Sequence, residues 1–146
     1  MAIKNYTLVL HAFVASLCVV ATAAIAQGSP PPSLSLSLNS VEQAEQNCRL
    51  VFVIDNKLNS DIEKFALEVV LFTLDEKVER FALFDFNGVP VDKMRVRQFE
   101  LPEAQCSQLS KVLINGSAAC DGGSLAGNEC LDYLNLSSKT RLEVSG

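Results

Sequence analysis

Beyond residue 26 the chain carries four cysteines, Cys48, Cys106, Cys120 and Cys130, and no histidine or tryptophan. Thiols offer three chemistries: structural disulfides, dithiol exchange and metal binding. A thioredoxin-type dithiol needs Cys-x-x-Cys, which is absent. A four-thiolate zinc site needs close-spaced pairs, also absent. Structural disulfides are therefore expected, and four cysteines allow three pairings. The single histidine, His11, lies in the leading segment. Beyond that segment the sequence holds no Ser-His or Cys-His catalytic pair and no histidine ligand for a metal.

The carboxylates form no acid/base couple. Asp55, Asp61, Asp85 and Asp92 fall at the ends of strand-like runs, where turns use aspartate. Asp121 and Asp132 lack the Asp-x-Asp-x-Asp frame of a calcium loop. Asp121-Gly122-Gly123-Ser124 has neither the spacing nor the lysine of a phosphate-binding loop. No enzyme activity, cofactor or metal is expected.

Two surfaces carry chemistry suited to recognition. In Lys93-Met94-Arg95-Val96-Arg97, a period of two puts Lys93, Arg95 and Arg97 on one strand face. Such a stripe suits an acidic partner segment, because arginine forks onto carboxylates. Otherwise it is a solvated face paired with Glu79 or Glu100. The other surface is apolar and depends on register. A turn centred on Asp75-Glu76 pairs Leu71 with Arg80, Val69 with Ala82, Leu67 with Phe84 and Phe65 with Phe86. The opposite face then pairs Phe72 with Glu79, Val70 with Phe81, Glu68 with Leu83 and Ala66 with Asp85. A slip of one residue sets Leu67 against Asp85, so the first register is expected. Val70, Phe72, Phe81 and Leu83 become outward neighbours, a candidate interface unless another segment covers them.

The elements that must position these residues are strands. Leu34, Leu36 and Leu38 alternate with serines, and Leu50 to Ile54 is a continuous apolar run. Strands are expected over 34–40, 48–55, 64–73, 78–86, 93–101, 107–115 and 132–144. Residues 42–47 read as a loop or short turn, and 121–128, rich in glycine, as a flexible loop. Within 93–101 the apolar alternation changes from Met94 and Val96 to Phe99 and Leu101. That change predicts a bulge near Arg97-Gln98. No helix is convincingly amphipathic. Seven strands in this length fit an all-β, immunoglobulin-like sandwich.

Residues 1–26 have the layout of a secretory signal peptide: Lys4, an apolar run from Tyr6 to Val20, and Ala24-Ile25-Ala26 before Gln27. Residues 27–33 form a proline-rich linker, and 34–146 the domain. The segment resembles bacterial signal peptides, which implies export to a periplasm and no membrane insertion after cleavage. Lys4 is the one charged residue in it. The remainder holds 11 Lys and Arg against 17 Asp and Glu, net −6. That balance disfavours nucleic acid.

Leu71-Phe72-Thr73-Leu74-Asp75-Glu76-Lys77-Val78 is similar to a mid-sheet stretch of small bacterial exported Ig-like and fibronectin-III-like domains, though without their turn glycine. The resemblance spans roughly 48–115 and implies binding or assembly rather than catalysis. In an Ig-like sandwich the strands opened by Cys48 and Cys106 run the same way on facing sheets. Cys120 and Cys130 flank the loop before the last strand. The expected pairs are Cys48–Cys106 and Cys120–Cys130. The function expected is that of a non-enzymatic module binding another envelope protein. The alternative is a structural or adhesin-like subunit assembled through the 34–40 strand.

Overall fold

Serine-leucine alternation at the start of the domain gives each leucine to one side and each serine to the other, as an extended chain requires. In a computed structural model, which describes residues 30–146, this segment is β1 (Ser33–Ala44), with Leu34, Leu36 and Leu38 fully buried. The 1–26 segment and residues 27–29 of the linker lie outside the described residues. The strand runs past the expected end: 42–44 remain paired with β2 (Asn47–Lys57), and the reversal is a tight hairpin at Glu45, whose φ is 54°.

Then follow β3 (Lys64–Thr73), β4 (Val78–Asp85), β5 (Met94–Leu101) and β6 (Leu109–Asp121). A short 3-10 turn at Cys106–Gln108 precedes β6. A single helical turn, α1 (Glu129–Asp132), leads into β7 (Leu134–Ser138), and β8 (Glu143–Ser145) closes the fold. One sheet is ordered β5-β2-β1-β7 and the other β4-β3-β6-β8. The fold is thus all-β, with two four-stranded sheets. β1 lies inside its sheet, bonded to β2 on one edge and, from Leu34 to Leu38, to β7 on the other.

The β3–β4 register is the expected one from Ala66↔Asp85 to Leu71↔Arg80. A bulge then pairs Phe72 with Val78 rather than Glu79. Phe65, Leu67, Val69, Leu71, Phe84 and Phe86 all face the core. Against them pack Leu50, Phe52 and Ile54 of β2. Phe84 stacks on Phe99 of β5 at 4.2 Å between centroids, and Phe52 touches both rings.

Three further expectations change. The bulge at Arg97-Gln98 is absent: β5 pairs with β2 without a shift from Met94 to Leu101. Residues 107–115 are not one interrupted strand; β6 runs on through Asn115-Gly116 to Asp121, taking up irregularities against β3. The 132–144 segment is two strands in different sheets, β7 parallel to β1 and β8 parallel to β6. The glycine-rich segment leaves β6 from an anchored point: the Glu63 N–H donates to the Asp121 carbonyl at 2.7 Å, and the Leu125 N–H closes a turn on the Gly122 carbonyl at 2.9 Å. Gly122 is obligatory there, since a Cβ would sit 2.3 Å from the Asp61 carbonyl oxygen.

Both disulfides form as paired above, Cys48–Cys106 and Cys120–Cys130. All four cysteines are buried. Two such bridges point to an oxidising, extracytoplasmic compartment. Among the described residues no helix is long and apolar enough to cross a membrane. Nor is any group of three or more His, Cys, Asp or Glu gathered to hold a metal ion among them.

Candidate interaction surfaces

β4 and β5 are edge strands of the two sheets, and the segment from Phe86 to Lys93 joins them. Among the described residues each of these backbones has one side unpaired, the side on which another strand could add. Both present large apolar groups to solvent. Phe81 is 74% exposed and Leu83 61% on β4; Met94 and Val96 are exposed on β5. Behind β4 the outer face continues across Val70 and Leu113, which pair in one row with Phe81. The four outward residues expected to form the patch differ in their roles. Phe81 and Leu83 form its open surface. Phe72 is half-buried, with the Lys111 ammonium 5.8 Å from its ring centroid. Val70 is not a surface residue: only 3% of it is exposed, between its cross-strand neighbours Phe81 and Leu113.

The basic stripe is placed by β5. Arg95 and Arg97 pair with Ile54 and Phe52, whose side chains fill the core, so the arginines share the inward face with Phe99 and Leu101. Met94 and Val96 therefore point outward. The physical reason is that an arginine stem covers apolar surface while its head reaches the rim. Arg97 Nε donates to the Phe86 carbonyl at 2.8 Å, and this bond ties β5 to the end of β4. Arg95 donates only to its own neighbour, the Met94 carbonyl. Lys93 is exposed. None of the three pairs with a carboxylate among the described residues; Glu79 is held by Arg80 at 2.6 Å and Glu100 by Arg49 at 2.6 Å.

The Arg49–Glu100 pair spans β2 and β5 on the outer face. Hydrogen bonding from Arg49, then its charge, holds the Glu100 carboxyl below the ordinary 4.5. A carboxyl lowered in the folded state favours the fold above its unfolded pKa, and that contribution is lost as pH falls through the lowered value. Glu100→Gln is therefore expected to lower the melting temperature slightly at pH 7. The difference should vanish once acid protonates Glu100 in the parent protein. A difference that persists in acid would mean that the glutamine disturbs packing instead.

Asn56 positions the entry to β5, and nothing in its polar stretch announces it. It is fully buried, donating through Nδ2 to the Val89 carbonyl at 2.8 Å and the Ser60 carbonyl at 3.0 Å. Its Oδ1 accepts the Leu58 N–H at 2.9 Å. The aspartates act as turn residues: Asp61 accepts the Val91 N–H and Asp85 the Asn87 N–H.

No family model matches this sequence, and no curated protein matches it. The fold is similar to that of IrmA from Escherichia coli, with a TM-score of 0.59 at 8% identity over 73% of this chain and 92% of IrmA. At that identity the likeness is one of fold alone.

Proposed function

We propose that this chain is a non-enzymatic, Ig-like protein-binding module of the bacterial cell envelope, delivered to the periplasm by the 1–26 signal. The supporting observation is the exposure of Phe81 and Leu83 on edge strand β4. Large apolar groups in water on an unpaired strand carry a standing free-energy penalty that a docked partner removes, at roughly 25 cal/mol per Å² buried. The unpaired cations Lys93 and Arg95 near the other edge select a partner segment that is acidic as well as apolar. Assembly through the N-terminal strand would require β1 to leave both of its neighbours, so it is the less economical reading.

The test uses capture by crosslinking in the envelope. Phe81→Ser with Leu83→Ser should abolish capture of the partner and leave the melting temperature within a few degrees of the parent protein. Lys93→Glu with Arg95→Glu should weaken capture and remove its sensitivity to salt. Arg97 is left intact because it bonds the two edges together. Capture indifferent to both pairs of changes would remove this side of the sandwich from consideration.

A further inference from the structure

We infer that the molecule holds a second, separate site: a cleft for a small oxyanion, of the phosphate or carboxylate class, at the Cys106 end of the sandwich. The site follows from a bulge. β1 loses register at Asn39, and its pairing with β7 ends at Leu38↔Ser138. Beyond that point β1 continues, among the described residues, with β2 alone, and no strand pairs on its other side. The chain from Lys139 to Arg141 and the turn at Cys106–Gln108 form the remaining walls. The space is a broad groove of about 730 Å³, open to solvent.

Lys139 and Arg141 line this cleft, and no carboxylate does. In a chain of formal charge −5 this is the opposite of the average surface. Neither cation pairs with an acid among the described residues. The carboxylate beside the cleft, Glu42, accepts from Ser40 at 3.0 Å and lies 3.8 Å from Arg49. The other lining groups are uncharged: polar Asn39, Gln105, Ser107 and Thr140 among them, with Val41 and Cys106 as apolar patches.

Arg141 is held in place before any ligand arrives. One of its Nη atoms donates to the Leu109 carbonyl at 2.8 Å, the other to the Cys106 carbonyl. Two of the five guanidinium N–H groups are thereby used, and three remain. Its neighbours are equally fixed. The Lys139 N–H donates to the Leu38 carbonyl at 2.9 Å, the Leu142 N–H to Thr140 Oγ1 at 3.1 Å, and Leu142 is fully buried. Cys106 itself is tied to Cys48. A pinned guanidinium loses little side-chain entropy on binding, and its fork fits two oxygens of one anionic group. Lys139 supplies the second charge.

Inorganic phosphate and citrate serve as separate probes of the exported protein, with chloride at matched ionic strength as control. Binding is read by calorimetry and by amide NMR shifts. Saturable binding of phosphate, of citrate or of both is expected, with shifts confined to 39–43, 105–107 and 139–141. The probe that saturates identifies the anion class. Lys139→Glu should weaken binding at least about tenfold, because attraction becomes repulsion at short range. The same charge change at Lys77, in the β3–β4 turn and not part of the cleft, should leave binding unchanged. Arg141→Gln should also abolish binding, but Lys139 carries the test because Arg141 also supports the fold. No saturable binding by either probe would overturn the site. So would shifts reproduced by chloride, or equal losses in the Lys139 and Lys77 variants.

Discussion

Replacing Cys48 and Cys106 together by alanine is expected to cost about 4 kcal/mol, most of the stability of a marginal domain. The bridge joins residues 58 apart, and cross-linking a chain removes more freedom from the unfolded state as the closed loop grows. Cys120–Cys130 spans a separation of 10, for which the same relation gives about 2.7 kcal/mol. Using double replacements leaves no unpaired thiol to confuse the comparison. Urea unfolding should rank the Cys48/Cys106 variant below the Cys120/Cys130 variant, with both below the parent. Local structure adds to the first loss. The Cys106 N–H donates to Gln43 Oε1 at 2.8 Å, so the bridge also fixes the turn that leads into β6. An equal or reversed ranking would show that the long loop is already restricted in the unfolded chain.

Some of this architecture was legible in the sequence because one physical contrast dominated. Along β3 and β4 the inward residues are nearly all apolar, and a one-residue slip would set Leu67 against Asp85; the register had only one good solution. β5 offered no such contrast. Met94 and Val96 look like core residues and Arg95 and Arg97 like surface, yet the reverse holds. An arginine on an edge strand can lay its stem on the core and satisfy its head at the rim, as Arg97 does on the Phe86 carbonyl. Hydropathy alone cannot express that, so the alternation suggested a bulge that does not exist. The closing segment misled for another reason. Leu134, Leu136, Leu142 and Val144 suggest one strand, but no glycine or proline marks the crossing between sheets at 139–142. The leucines of β7 serve one sheet and Val144 the other. The cationic cleft was invisible for the same reason: it depends on the irregularity at Asn39 and on the crossing that brings Lys139 and Arg141 beside it.

Phe84→Ala is expected to destabilise the protein by about 3–5 kcal/mol, whereas Phe81→Ala, three residues earlier, should cost less than about 1 kcal/mol. The two aromatics lie on the same strand and differ only in face. Phe84 is 2% exposed, stacked on Phe99 and within 5.9 Å of the Phe52 ring. Its removal withdraws a ring from both sheets at once and leaves a void that surrounding side chains, packed at crystal-like density, fill only in part. Phe81 loses little because its ring already lies mostly in water. Chemical denaturation of the two variants measures the difference directly, provided the slopes agree with that of the parent protein. Similar costs at the two positions would mean that Phe81 is covered in solution, by a second copy of the chain or by the leading segment. Concentration dependence of the parent protein's unfolding midpoint separates those two cases. A large gap leaves Phe81 free for a partner, and the same substitution that barely disturbs folding then becomes the cleanest probe of binding.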